Sequence, residues 1–212
     1  MTAADYENNV FINCPFDQKH TPLFRAMVFA VHDCGFIARC ALETEGTHDV
    51  RIIKIMQIVR ESRYAIHDIS RVERDRRTRL PRFNMPLELG IFMGAKEFGS
   101  AEQRLKRYVV LDRDQYRYRD SCSDIAGQDI QAHGDDPFAA IVAVNRFLTR
   151  QQPGFERPSP RKMCRRYEEF TGSFPPPPES TTFCSVSWIS TGSETSSSLS
   201  CRRIRGRSSG VN

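Results

Sequence analysis

No stretch of this sequence approaches the roughly 18 consecutive apolar residues that a membrane helix needs, so no membrane-spanning role is expected. Residues 1–16, MTAADYENNVFINCPF, lack a basic start followed by an apolar core. A secretory signal is therefore not expected, and the default compartment is cytoplasmic. Neither a Walker loop nor a GxGxxG turn occurs, which argues against ordinary kinase or dehydrogenase chemistry. The seven cysteines are odd in number and no two stand at CxxC spacing. Neither a disulfide framework nor a zinc site is signalled, so no metal or cofactor is expected. Reduced thiols are the reading, with Cys34 and Cys40 at core positions.

Positive charge is also scarce where a nucleic-acid surface would need it. The chain carries a formal +5, but residues 151–212 hold nine Lys/Arg against five Asp/Glu. Residues 1–150 are left with 22 basic and 21 acidic side chains, close to neutral. A phosphate-tracking surface needs clustered charge on the folded part. The one local cluster, RVERDRRTR at 71–79, reads as a solvated loop of mixed sign. No specific nucleic-acid binding is expected.

What is present is alternation. NVFIN (9–13) is a short apolar run stopped by CPFD, as expected of a buried strand entering a loop. TPLFRAMVFAVHDCG (21–35) has helical spacing, with Thr21 as a cap, Pro22 in the first turn and Gly35 as the stop. A strand at 36–42, a helix at 49–62 capped by Asp49, and a strand at 63–70 follow. Then come the helix NMPLELGIFMGAKEFG, the strand RYVVLD (107–112), a weaker strand at 129–134 and an amphipathic helix at 135–150 behind a cap and Pro137.

Short buried strands joined by helices predict a parallel sheet with helices on both faces. The expected fold is a three-layer, flavodoxin-like α/β domain of about five strands in the order 2-1-3-4-5, spanning residues 1–150. Residues 151–174 read as a short helical extension. Residues 175–212, rich in Pro, Ser and Arg without an apolar face, read as a disordered tail or an aberrant C-terminus.

In this order a ligand sits outside the carboxyl ends of the strands, at the switch point between the first and third. The first strand delivers Asn13, Cys14, Phe16 and Asp17 there, the third delivers His67, Asp68 and Ser70, and the next helix brings Asn84 and Glu88. Several of these have plain structural roles open to them. Asn84 can simply cap the helix, His67 can be a satisfied buried histidine, and Asp17 can cap a turn. Asp68 is expected to face the crevice, because burial without a partner is costly. Glu88 is the leading candidate. Pro86 is tolerated in the first turn, Glu88 follows one turn inside between Leu87 and Leu89, and Gly90 and Gly94 suggest a smooth stripe approaching the sheet. The competing reading of Glu88 is a helix-dipole partner worth about 0.3–1 kcal/mol.

A strand ending in HDIS, a loop, then NMPLELGIFMGAK, together with the opening VFINCPF, resembles the nucleoside 2-deoxyribosyltransferase-like proteins and the wider TIR-like group. The resemblance covers residues 9–150. It implies cleavage of an N-glycosidic bond, with Glu88 as nucleophile at the anomeric carbon and Asp68 holding base or sugar. Two features depart from the family pattern. NMPLE replaces a Gly-Thr pair, and Arg82 stands where a second aspartate is usual.

The chemistry is coherent on its own, since a carboxylate stabilises an oxocarbenium-like transition state by charge or by a covalent sugar intermediate. Asp68 or Asp17 would protonate or position the leaving base, Phe16 would stack on it, and Arg82 or Arg39 would bind a phosphate. The expected activity is cleavage or transfer at the N-glycosidic bond of a nucleoside, nucleotide or NAD-like dinucleotide. The alternative is a catalytically silent TIR-like nucleotide-binding or signalling module. Expected partners are a nucleoside or nucleotide ligand and, in one reading, further copies of the chain as a homo-oligomer.

Overall fold

Runs of apolar residues that leave no room for a polar face become the centre of the sheet. In the computed structural model, which describes residues 3–44, 50–72, 82–151 and 156–173, β1 (Asn9–Asn13) and β3 (Tyr64–Asp68) are buried along their whole length. They are flanked by β2 (Ile37–Cys40) on one side and by β4 (Arg107–Asp112) and then β5 (Ile130–Ala132) on the other. The five strands are all parallel, in the order β2-β1-β3-β4-β5. This is the flavodoxin-like order expected from the alternation of strands and helices. Both edge strands are short and partly exposed, as edges of a parallel sheet tend to be. The Asp49 cap, residues 73–79 of the charged cluster and the tail from 175 lie outside the described residues.

Two helix pairs cover the sheet. α2 (Thr21–Asp33) packs with α5 (Pro137–Thr149), and α3 (Arg51–Arg60) with α4 (Asn84–Phe98). Right-handed crossovers in this strand order require the pairs to lie on opposite faces. One face buries Phe11, Ile55, Ile58, Val59, Ala65 and Phe92 together. No α-helix joins β4 to β5. Two short 3-10 turns, Arg117–Asp120 and Ser123–Ile125, carry the chain instead. Tyr118 and Ile125 from those turns pack with Met85, Leu89 and Val110.

Local signals at helix ends were met unequally. Asp136 caps α5 as expected, its carboxylate accepting from the backbone N–H of Phe138 and Ala139. Gly35 stops α2 at φ +80°, a conformation open to glycine and strained for other residues. Thr21 is not a cap. It is already helical, and its hydroxyl donates to the Asp17 carbonyl at 3.2 Å.

Asn84 is not a cap either. Phe83, at φ −92° and ψ −6°, already holds helical geometry, so Asn84 becomes the first helical residue and its exposed side chain makes no capping bond. The glycine stripe also turns away from its expected position. The buried face of α4 is Met85, Glu88, Leu89 and Phe92, and a Cβ added at Gly90 or Gly94 would meet nothing within 4 Å.

Two further elements complete the packing. α1 (Ala3–Asn8) is too short to show periodicity, yet its Tyr6 is buried and donates to the Glu102 carbonyl at 3.1 Å. Beside it Lys106 is wholly buried, donating to the Val59 carbonyl at 2.7 Å and to that of Ser62, with its Nζ over the rings of Phe92 and Tyr6. The lysine thus adds a donor to the carbonyls where α3 ends, of which Val59's already accepts from the Ser62 N–H. Burial lowers its pKa to about 7. α6 (Pro160–Ser173) lies against α2 and α5, burying Met163 and Tyr167, while Arg166 pairs with Asp33 at 2.8 Å.

Candidate active site

The register brings Asn13 beside His67, and Asp112 beside Ala132, so the polar strand ends share one edge of the sheet. Asn13 is the hub. Its buried Nδ2 donates to His67 Nδ1 at 3.0 Å and to the Met85 carbonyl at 2.9 Å. The second bond fixes the first turn of α4, and with it Glu88, to the end of β1. Because His67 Nδ1 accepts, its proton resides on Nε2. Phe11, Phe92 and Tyr108 meet the imidazole edge-on. Burial lowers His67 to about 3, so it stays neutral, a structural histidine rather than a base. Replacing Asn13 by alanine leaves the Met85 carbonyl and His67 Nδ1 without their donor. A loss of about 2–3 kcal/mol is expected in urea unfolding.

Asp68 does not face the crevice. It has no exposed surface, and its Oδ2 lies 3.1 Å from His20 Nε2 and 3.3 Å from His133 Nε2. Its Oδ1 accepts from the Ser70 N–H at 2.8 Å. Burial was expected to be too costly for this carboxylate, but the Ser70 N–H and the two imidazoles packed against it offset the cost. His133 Nδ1 accepts from the Asp135 N–H at 3.0 Å, so its proton sits on Nε2, the nitrogen beside Asp68. Burial pushes Asp68 upward, yet the close approach of His133 and His20 outweighs it and holds the carboxyl well below the usual range. An aspartate kept ionised in this way cannot protonate a leaving group. Its role is to clasp the loops that follow β1 and β5 onto the end of β3. The set is not a metal site: among the described residues, no group of three His, Cys, Asp or Glu side chains is arranged to hold an ion.

The remaining candidates gather around Cys14 and Glu88. Cys14 is buried, and burial together with the charges of Asp68, Glu88 and Asp17 pushes its thiol well above the usual range, so it is no thiolate nucleophile. Asp17 Oδ1 accepts from the His20 N–H at 3.1 Å, and its Oδ2 pairs with Arg82 at 3.2 Å. Arg82 is half exposed on the rim. Phe16 is half-buried, stacks edge-to-face on Phe24 at 5.3 Å and packs against the core cluster of Phe11 and Phe92. Arg39 is committed elsewhere, to Glu43 at 2.8 Å and Glu61 at 3.4 Å.

Glu88 is 8% exposed, and among the described residues it has no hydrogen-bond partner. Burial raises its pKa to about 7, opposed by the charge of Arg51 at the start of α3. A carboxylate left this dry favours any positive charge that develops next to it.

Three residues of this edge were not singled out from sequence: His20, His133 and Arg51. His20 and His133 each stand after a strand end, which was a usable signal, but their convergence on Asp68 crosses distant loops. Arg51 follows a polar loop, and only its position at the head of α3 brings it to Glu88. A cleft of about 140 Å3 between β4, β5 and α5, lined by Asp129, Arg146 and Arg150 among others, includes none of these residues. No protein-family model and no curated protein matches the chain.

Proposed function

We propose that the protein cleaves or transfers the N-glycosidic bond of a nucleoside, nucleotide or NAD-like dinucleotide, with Glu88 acting at the anomeric carbon of the sugar. One observation carries this reading: a nearly dry glutamate without a hydrogen-bond partner among the described residues stands near the carboxyl edge of the sheet, where sheets of this kind take their ligands. In the ground state its charge is poorly compensated. As the bond from C1 to the base nitrogen lengthens, the sugar gains cationic character and supplies the missing countercharge, so stabilisation is greatest in the transition state. The bonding pair leaves with the base. The Glu88 carboxylate then either faces the cation or bonds to C1, and water or an acceptor base takes the sugar.

Asp17 and Arg82, on the accessible rim, are the groups that meet the departing base. Arg51, beside Glu88, suits a phosphate and favours nucleotides over nucleosides. The working form of Glu88 is the carboxylate, so the rate is expected to rise with pH through about 7 and then level off.

The test is chromatographic. The protein is incubated with nucleosides, nucleotides and NAD, and free base is measured against pH. Base release from at least one substrate, rising through neutral pH, is expected. Binding by calorimetry without release from any of them would overturn the enzymatic reading in favour of a silent nucleotide-binding module.

A further inference from the structure

On the face of the sheet away from α4, the cleft beside α5 has a charge pattern that the fold does not need. Val110 and Ile130 are level in the register of β4 with β5, and both pack toward Met85 and Leu89 of α4. Alternation along the strands therefore turns Val109, Asp129 and Gln131 to the other face, under α5. Together with Arg146 and Arg150 of α5 they line the cleft of about 140 Å3, and the buried Ala143 and Phe147 complete its apolar floor. β5 is the last strand on this side, and Asp129, Arg146 and Arg150 are exposed, so the cleft opens to solvent at the edge of the sheet.

Arg146 and Arg150 are four residues apart, so their side chains rise from one face of α5 on successive turns. Neither guanidinium has an ion pair or a hydrogen bond among the described residues. The one acid of the cleft, Asp129, pairs with neither of them, and its Oδ1 accepts from the Gln131 amide. Two positive charges thus face one negative charge above an apolar floor, where water screens less than on an open surface. The helix dipole favours basic residues in the last turns of α5, but it does not require both to line one cavity. Guanidinium forks fit the oxygens of a phosphate in pairs. A cavity of about 150 Å3 takes a benzene-sized molecule, so this cleft suits a phosphate group with little else inside it.

We infer that this cleft binds a phosphate dianion, free or at the end of a small hydroxylated carrier, with Arg146 and Arg150 taking its oxygens. Asp129 and Gln131, on the strand side of the cleft, meet the carrier's hydroxyls, for which a carboxylate is an acceptor and an amide is both donor and acceptor. Glu88 belongs to α4, on the opposite face of the sheet. The bound phosphate is therefore not the substrate of the crevice, and the inference is independent of the chemistry at Glu88.

The full chain is titrated at pH 8 with inorganic phosphate and, separately, with glycerol 3-phosphate, followed by backbone-amide NMR. Shifts confined to residues 129–131 and 146–150 are expected, with a Kd of about 1 mM or tighter. Tighter binding of the ester assigns the cleft to a carrier and equal binding assigns it to the free ion, and both support the site. Arg146→Gln and Arg150→Gln are each expected to weaken binding about threefold and the double variant about tenfold. Arg60→Gln, an exposed change of the same kind on α3, is expected to leave it unchanged. Asp129→Asn removes the like charge and is expected to tighten inorganic phosphate about two- to threefold. No shift at these residues with either probe, or a loss with Arg60→Gln equal to that of the arginine pair, would overturn the proposal.

Discussion

Glu88→Gln is expected to make the protein more stable and less active at the same time. The glutamate is ordinarily an acid of pKa 4.5, and burial raises it to about 7 in the folded chain. Between those values the folded state holds a proton that the unfolded chain has released, so stability falls as pH rises through the window. Above pH 7 the folded protein carries the full cost of a dry carboxylate, about 1–2 kcal/mol after allowing for solvent screening at the crevice. Glutamine keeps the shape and removes the charge. Thermal unfolding at pH 8 should therefore occur several degrees higher in the variant, with little difference at pH 5 where both side chains are neutral. Base release should fall by about 10^3-fold or more, because the group that compensates the sugar cation is gone. A surface glutamate serving only the helix dipole would give the opposite stability result, a small loss at pH 8.

Asp68→Ala is expected to be the most damaging single change outside the hydrophobic core. The carboxylate accepts from the Ser70 N–H and lies 3.1 and 3.3 Å from the His20 and His133 imidazoles, all of them buried. Truncation leaves two buried imidazoles without the carboxylate they face and releases the loops after β1 and β5 together. A loss of about 3–5 kcal/mol follows, a drop on the order of 10 °C in Tm for a chain of this size. The pH dependence has a definite sign. Asp68 is held below its ordinary value, so its contribution is present above about pH 4 and disappears as pH falls below it, and the variant should lack that acid-sensitive step. A loss under about 1 kcal/mol, or an unchanged acid limb, would mean that the clasp contributes nothing.

The parts of this architecture legible in sequence are those encoded by neighbours. NVFIN and RYVVLD announce buried strands because their centres, Val10–Ile12 and Val109–Leu111, are unbroken apolar runs, and the crossover rule then orders the sheet. Asp136 reads as a cap because a proline follows it directly. Asn84 misled because capping depends on the backbone of the residue before, and Phe83 had already turned helical. Gly90 and Gly94 do share a strip, but spacing alone does not say whether that strip faces sheet or solvent. Asp68 was placed correctly at a strand end and wrongly in the crevice, because its partners arrive from loops that no local pattern connects. The burial of Glu88 was read from its neighbours Leu87 and Leu89, but Leu87 is exposed, and it is Met85 and Phe92, three and four residues away, that share its buried face.

The central claim is that Glu88 acts on a glycosidic bond. Its most direct measurement is base release from a common panel of nucleosides, nucleotides and NAD at pH 8, comparing the natural protein with Glu88→Gln after both are shown to be folded by thermal unfolding. The expected result is free base from at least one substrate with the natural protein, and a rate lower by about 10^3-fold with the variant. Equal release from both proteins, or none from either, would contradict the account.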